Sequence, residues 1–153
     1  MNLSKRAREI IEKIRYITVS TVSENGQPWN SPLSSFYDKD FNFYSASWKE
    51  NQHSKNIKNN PNVFVVIFDS TVPEGTGEGV YFTAKAYELN SKKDIDEALS
   101  LRREKHSHPA EDFMGDKPRR IYKFVPEKFW MNEEGNIDGN YIDVRIEVDP
   151  RNP

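Results

Sequence analysis

Apolar side chains recur at helical spacing near the start of the chain, on a segment that is otherwise charged. Ser4 precedes this stripe, and serine commonly caps the first turn of a helix. Positions three and four residues apart lie on one side of a helix. We therefore expect an amphipathic helix over about residues 4–15 that packs on a sheet. The stripe consists of Ala7, Ile10, Ile11 and Ile14.

The pattern then changes to alternating positions, which is typical of half-buried strands. Residues 16–22 are rich in β-branched side chains, and the Asn-Gly pair at 25–26 is a strong signal for a two-residue hairpin turn. A second strand over residues 28–37 is therefore predicted to return beside the first. Aromatic side chains at alternate positions predict a third, short strand over residues 41–45.

The middle of the chain predicts a helix followed by two strands. Residues 47–60 contain few β-branched side chains and end before Pro61, which stops a helix. Residues 63–68 are apolar at every position, which predicts a central strand buried on both faces. A long strand is predicted over residues 80–89.

The last third of the chain predicts a helix, a loop and a pair of strands. Ser91 and Asp94 resemble a capping box and begin a helix of about a dozen residues. Residues 103–118 are polar and predict a mobile loop. Two strands, over residues 119–131 and 141–148, are predicted to flank a turn at residues 132–136.

The order of these elements predicts a mainly β fold. Most of the connections are hairpins, and the alternation of strand and helix that marks a parallel sheet is absent from the pattern. About seven strands with short flanking helices fit a small closed or half-open β-barrel. The 153 residues are expected to form a single domain.

Composition and charge narrow the classes of function. The 22 basic and 24 acidic side chains give a net charge of −2, so no overall field attracts nucleic acid or an anionic membrane. The absence of cysteine excludes disulfides and thiolate chemistry. No apolar run approaches the roughly 18 residues of a membrane helix, and we expect a soluble cytoplasmic protein without nucleic-acid or membrane partners.

Five segments stand in a characteristic order and spacing: YITVSTV at residues 16–22, GQPWNSPL at 26–33, FYSAS at 43–47, HSKNIKNNPNV at 53–63 and GVYFTAKAYEL at 79–89. Together they resemble the pyridoxamine 5'-phosphate oxidase-like family of FMN-binding split β-barrels. The resemblance covers about residues 7–131. It implies a split β-barrel that forms a homodimer, with FMN bound at the subunit interface.

The phosphate of FMN is a dianion that needs a cation and several hydrogen-bond donors. Ser54 and Lys55 at the start of a helix, with Ser45 and Ser47 just before it, offer an ammonium group and hydroxyls within a short segment. Together with the resemblance, this pattern predicts Lys55 as the main phosphate ligand. Without the resemblance, a solvated lysine among loop-forming serines would be the better interpretation.

The resemblance also implies residues near the rest of the cofactor. Asn30, Ser31 and Ala46 are expected near the ring system, Trp48 and Gln52 near the ribityl chain or the phosphate, and His53 beside the phosphate or at the surface. Trp29 is either a shelf for the ring or a half-buried strand residue. Trp130 either closes the pocket from a partner subunit or packs in the core or the dimer interface, which is the better interpretation.

The resemblance predicts an FMN-dependent oxidoreductase that acts on a small molecule with a nicotinamide or similar electron donor. Two alternatives stay open: a flavin-binding or redox-sensing module without turnover, and a split barrel that binds deazaflavin or haem. The biosynthetic oxidase itself is not expected, because Arg145 alone does not make its C-terminal Arg-x-x-x-Arg-Leu motif.

No general acid or base stands out in the sequence, and Tyr37, Tyr81 and His53 are the candidates. His106 and His108 lie in the polar loop near carboxylates, where a solvated loop is a better interpretation than a metal site. We therefore predict no metal centre.

Overall fold

Eight strands form one antiparallel sheet in the computed structural model, which describes residues 1–105 and 108–153. Three α-helices and a short 3-10 helix, Ala110–Phe113, accompany the strands within these ranges. In chain order the elements are α1 (Leu3–Lys13), β1 (Tyr16–Val22), β2 (Pro28–Ser34), β3 (Phe36–Tyr37), β4 (Phe43–Trp48), α2 (Gln52–Asn59), β5 (Asn62–Phe68), β6 (Gly79–Glu88), α3 (Lys92–Ser100), β7 (Arg119–Ile137) and β8 (Asn140–Val148).

The sheet runs in the order β2-β1-β5-β6-β7-β4-β3, with β8 paired to the outer part of β7. The segment predicted as one strand over residues 28–37 is two strands, because the chain bends at the buried Ser35. There it leaves β1 and joins β4 at the other end of the sheet, where Phe36 pairs with Tyr44. This crossing brings the two ends of the sheet together, and the predicted mainly β fold is confirmed.

Large aromatic side chains pack inside the sheet together with isoleucine and valine. The ring of Phe82 lies between Phe43 and Phe129, with a centroid distance of 5.0 Å to each. The apolar stripe of α1 packs into the same core through Ala7, Ile10 and Ile11. A smaller cluster connects α3 and the 3-10 helix to β4 and β7.

The first helix confirms the predicted stripe but begins with a different cap. The side chain of Asn2 accepts a hydrogen bond from the backbone N–H of Lys5 at 3.0 Å, so Asn2 and not Ser4 is the cap. The hydroxyl of Ser4 instead accepts from the backbone N–H of Asp149 at 3.1 Å. Ser4 therefore connects the helix to the end of the chain.

Strand β5 is buried on one face only, so the prediction of burial on both faces was wrong. Val63, Val65 and Ile67 point into the core, whereas Phe64 and Val66 are half-buried and Phe68 is exposed. A uniformly apolar run does not distinguish a covered face from an open one, because periodicity carries no signal when every position is apolar.

The last hairpin turns later than predicted. Strand β7 continues through residues 132–136, and the turn consists of Asp138 and Gly139, between the paired Ile137 and Asn140. Both turn residues have positive φ, 51° and 80°, which is the conformation of a tight hairpin turn and favours Asp-Gly. The polar residues 132–136 are strand residues of a hairpin that extends beyond the core.

The region between α3 and β7 contains more packed structure than its polar sequence suggested. The predicted cap of α3 is confirmed, since the backbone N–H of Asp94 donates to the hydroxyl of Ser91 at 3.1 Å. Ala110 and Phe113 of the 3-10 helix are buried in the smaller core cluster. Across the described residues, no helix combines the length and the apolar character needed to span a membrane.

Candidate functional site

The two ends of the sheet meet where β2 lies next to β4, and a side-chain hydrogen bond joins them there in place of paired backbone groups. In the described part of the chain, β2 pairs with β1 and β4 pairs with β3 and β7, but no ladder joins β2 to β4. The hydroxyl of Ser45 donates to the carbonyl oxygen of Ser34 at 2.9 Å and crosses this gap. We call the line between β2 and β4 the seam.

A cleft of about 600 Å³ lies along the seam, and we call it the seam cleft. Its walls come from β2, β4, the start of α2 and the start of β7. The volume falls within the roughly 300–1,000 Å³ typical of small-molecule and cofactor sites. The lining residues are Trp29, Ser31, Pro32, Leu33, Ala46, Ser47, Trp48, Asn51, Gln52, His53, Pro118 and Arg119.

His53 brings a buried polar atom without a partner to this cleft. The residue is 6% exposed, and its Nε2 has no hydrogen-bond partner within the described residues. Burial lowers the pKa of the imidazole, so the ring is held in its neutral form. Most buried polar atoms in folded proteins are hydrogen-bonded, so this atom is an exception in a residue that lines the cleft.

A chain of amide and hydroxyl groups positions the side chain of Gln52. Its Nε2 donates to Oδ1 of Asn56 at 2.8 Å, and Nδ2 of Asn56 donates to the hydroxyl of Thr21 at 2.9 Å. Asn56 and Thr21 are almost fully buried. Because Asn56 occupies the amide nitrogen of Gln52, the carbonyl oxygen of Gln52 is oriented as an acceptor at the edge of the cleft. The sequence analysis did not identify this role of Asn56.

Two indole rings and a hydroxyl complete the wall on this side. Trp29 and Trp48 are 47% and 51% exposed, which is high for large aromatic side chains and leaves flat apolar surface beside the cleft. The hydroxyl of Ser47 is mostly buried and makes no hydrogen bond within the described ranges. The cleft therefore combines apolar faces with a few polar groups that lack partners.

Arg119 contributes the positive charge of the seam cleft. It is the first residue of β7 and pairs across the sheet with Trp48. Its guanidinium carbon lies 5.4 Å from the ring centre of Phe113, and no carboxylate of the described residues forms an ion pair with it. Sequence reasoning missed Arg119, because no local motif marks it and only the register of β4 with β7 brings it to the cleft.

Six of the predicted cofactor residues line the seam cleft, namely Ser31, Ala46, Ser47, Trp48, Gln52 and His53. Lys55 lies in an adjoining cleft of about 740 Å³ that shares Trp29 and Gln52 with the seam cleft. The side chain of Lys55 is 55% exposed, and its Nζ is 3.7 Å from a carboxylate oxygen of Glu50. An exposed pair at this distance is weak and leaves the ammonium group available to a stronger anion.

The three remaining predicted residues do not line the seam cleft, and their side chains form hydrogen bonds with other groups of the protein. The amide of Asn30 donates to the hydroxyl of Ser20 at 2.8 Å on the exposed side of the β1–β2 pair. Ser45 is buried and makes the seam hydrogen bond. Ser54, 2% exposed, donates to the carbonyl oxygen of Trp48 at 2.8 Å and connects α2 to the end of β4. Their proposed contacts with a cofactor would require these bonds to rearrange.

A family model described as pyridoxamine 5'-phosphate oxidase matches residues 3–133. The chain belongs to this family. The match begins at α1 and ends within the last hairpin, so it includes every residue of the seam cleft. No curated protein matches the chain.

Solved structures agree with the split-barrel fold of the pyridoxamine 5'-phosphate oxidase family. The haem storage protein HutZ from Vibrio cholerae is 16% identical, with a TM-score of 0.69 over 83% of this chain and 92% of its own. General Stress Protein 26 from Bacillus anthracis is 21% identical, with a TM-score of 0.62 over 94% and 100%. A haem-binding protein from Mycobacterium smegmatis is 12% identical, with a TM-score of 0.70 over 95% and 58%. At these identities the likeness establishes the fold.

Other residues considered from the sequence lie away from the seam cleft of this family member. Trp130 pairs across the sheet with Tyr81 on the outer face. Arg145 lies on that same face, with its guanidinium carbon 4.1 Å from the ring centre of Tyr81. His108 contacts the carboxylate of Asp112 at 3.2 Å, and His106 lies outside the described residues. Among residues 1–105 and 108–153, no three metal-ligating side chains are grouped.

Proposed function

We propose that the protein binds FMN in the seam cleft. The observation that carries the proposal is the buried Nε2 of His53, which has no partner in the protein and belongs to a cleft of suitable size. A flavin presents several oxygen and nitrogen atoms along one edge of a flat ring, and such an edge can supply the missing partner. Trp29 and Trp48 offer flat apolar surface for the ring.

The two neighbouring clefts suggest how the cofactor is oriented. Lys55 supplies a cation in the adjoining cleft, next to Trp29 and Gln52, and we assign the phosphate to this end. Ser47 and the carbonyl oxygen of Gln52 would then contact the ribityl hydroxyls, with Ala46 and Ser31 beside the ring system. A charge-assisted contact of the ammonium group with phosphate contributes about 1.5–3 kcal/mol.

We further propose that the protein is an oxidoreductase with a small-molecule substrate. When bound, FMN would supply two-electron chemistry: a nicotinamide donor would lose a hydride, and the acceptor would take up its two electrons and one proton together with a second proton from solvent. The chain's own residues would bind and orient the reactants and exclude water. His53 is neutral near pH 7, so its imidazole can hold a hydrogen bond to the cofactor without adding charge.

A homodimer with the flavin at the subunit interface is part of this proposal. Trp29 and Trp48 expose about half of their surface next to the cleft, and a second copy of the chain that covers them would exclude solvent from the ring. Dimers are common among proteins of this family. A cytoplasmic location is also part of this proposal.

Haem is a second candidate ligand, and His53 is the observation that favours it. A neutral imidazole with a free Nε2 is the usual protein ligand of haem iron. Two of the similar structures are named as haem proteins, although their identity to this chain is 16% or less. A flavin-binding module without turnover is the third possibility and shares the site with the first.

The spectrum of freshly purified protein, with mass spectrometry of the released ligand, tests these proposals. We expect an oxidised flavin spectrum and the mass of FMN. A Soret band with the mass of haem would overturn the FMN proposal and favour the second candidate. Stopped-flow reduction by NADH and NADPH then separates an oxidoreductase from a module without turnover, since a flavin that neither donor reduces would contradict the proposed activity.

A further inference from the structure

A third, smaller pocket of about 150 Å³ opens beside the seam cleft, and four of its nine lining residues are arginines. Arg15 follows α1, Arg102 and Arg103 follow α3, and Arg119 begins β7. Three separate segments of the chain therefore bring four guanidinium groups to one place. We call it the arginine pocket.

Aromatic rings fix three of these four side chains. The guanidinium carbon of Arg102 lies 5.8 Å from the ring centre of Phe36 and 6.0 Å from that of Phe113. Arg119 lies over the same Phe113 ring, and Arg103 lies 5.5 Å from the ring centre of Tyr37. A guanidinium held against a ring keeps its N–H groups free at the edge, where they can bind an anion.

Among the described residues that line the pocket, four arginines face one glutamate, so positive charge is in excess. Glu104 is the one carboxylate that lines it within the described residues, and Glu104 pairs with Arg15 at 2.5 Å. Neither Arg102 nor Arg119 forms an ion pair with a described residue. Burial, together with the nearby charge of Arg119, lowers the pKa of Arg102, which is the direction expected for like charges held close to each other.

The arginine pocket adjoins the seam cleft, because Ala46 and Arg119 line both. The Lys55 cleft shares a different pair of residues with the seam cleft, Trp29 and Gln52. A molecule anchored in the arginine pocket would therefore extend toward the space assigned to the flavin ring. The hydroxyl of Ser34 lines the pocket as well and makes no hydrogen bond to a described residue.

We propose that the arginine pocket binds the carboxylate or phosphate group of the substrate, while the rest of the substrate lies against the cofactor in the seam cleft. The planar fork of Arg102 matches both kinds of oxyanion, because each presents two oxygen atoms to a pair of parallel N–H donors. The substrate is then a small organic anion. This inference rests on the proposed function for the identity of the neighbouring ligand, but the anion site can be tested by itself.

Isothermal titration calorimetry of the purified protein, saturated with FMN, tests the site with inorganic phosphate and acetate as probes. Sodium chloride at the same ionic strength is the reference. We expect one of the two probes to bind better than chloride, and the tighter one identifies the preferred oxyanion. Arg102→Gln should weaken that binding about tenfold or more, because it removes a charge-assisted contact. Arg102→Lys keeps the positive charge but loses the planar pair of N–H donors. Its affinity for the probe should lie between those of the parent protein and Arg102→Gln.

Arg145→Gln is the matched control, since Arg145 also lies over an aromatic ring but on the outer face of the sheet. It should leave probe binding unchanged. The anion site would be overturned if Arg102→Gln still bound the probe, or if the parent protein showed no preference for the probe over chloride. The proposed function would still stand in that case if the protein showed a flavin spectrum. If the protein takes up no flavin, the proposed function is overturned. If that protein binds phosphate and Arg102→Gln loses this binding, the anion site is still supported.

Discussion

The side-chain amide of Asn56 donates a hydrogen bond to the hydroxyl of Thr21 across 2.9 Å, and both residues are almost completely buried. This bond connects the middle of α2 to β1. On its other side, Asn56 accepts the bond from Gln52 that orients the edge of the seam cleft. One buried amide therefore supports both the position of the helix and the shape of the site.

Asn56→Ala should destabilise the fold by about 1–3 kcal/mol, because it leaves the hydroxyl of Thr21 buried without its donor. Urea unfolding measures this loss. Asn59→Ala is the matched control, since Asn59 lies on the exposed side of the same helix. In a double-mutant cycle, Thr21→Val should recover part of the loss, because the unsatisfied hydroxyl is then gone. Equal losses for Asn56→Ala and Asn59→Ala would contradict the role of the buried bond.

The buried imidazole of His53 should make stability depend on pH. Burial lowers its pKa in the folded protein, so the unfolded chain, with a pKa of about 6.5, binds the proton more readily. Stability should therefore decrease as the pH falls below about 6.5, until the pH passes the lowered folded value. His53→Gln should flatten this part of the profile in thermal melts of ligand-free protein. An unchanged slope in the variant would assign the dependence to another group.

Lys55→Ala should lower FMN retention about tenfold or more, because it removes the ammonium group assigned to the phosphate. The measurement is the flavin-to-protein ratio after extensive dialysis, followed by titration with FMN. Lys58→Ala is the control, since Lys58 belongs to the same helix and lines the same adjoining cleft. If both variants keep the flavin as well as the parent protein does, the phosphate lies elsewhere, and Arg119 becomes the next residue to test.

Gly139→Ala should destabilise the last hairpin by about 1–2 kcal/mol, since Gly139 has a φ of 80° that residues with a side chain adopt at a cost. Gly77→Ala is the control, because a Cβ added there meets no atom within 4 Å and the backbone is not in the left-handed region. Hydrogen exchange of residues 132–146 would localise the effect. Similar stabilities for the two variants would argue against a tight turn at this position.

Local patterns predicted most of the elements of this fold. The stripe of α1 and the Ser91 cap of α3 depend on neighbours in sequence, and both are present. The hairpin after β1 is present as well, but the predicted two-residue turn was wrong, because Glu24, Asn25 and Gly26 form its loop inside the bond between Ser23 and Gln27 and only Gly26 has a positive φ. The errors arose where two local signals competed or where none existed. Asp138-Gly139 was overlooked in favour of a polar segment before it, and the bend at Ser35 depends on which strand each half joins.

The candidate site was also predicted only in part, because some of its residues are neighbours in sequence and others are not. Residues around 46–53 reach the seam cleft together because they are consecutive at the end of β4 and the start of α2. The hydroxyls of Ser45 and Ser54 instead donate to backbone carbonyl oxygens. The order of residues in a family pattern does not predict which way a hydroxyl points. Arg119 and Arg102 come from distant parts of the chain, so their meeting depends on strand register and on the packing around Phe113.

The hydroxyl of Ser45 has a consequence for the wall of the barrel. Elsewhere neighbouring strands are joined by rows of backbone hydrogen bonds, whereas this side chain provides a bond between β2 and β4. Residues of both strands line the seam cleft and the arginine pocket, but Ser45 lines neither. A substitution at position 45 would therefore act on both cavities from inside the wall, without replacing a residue that a bound molecule contacts.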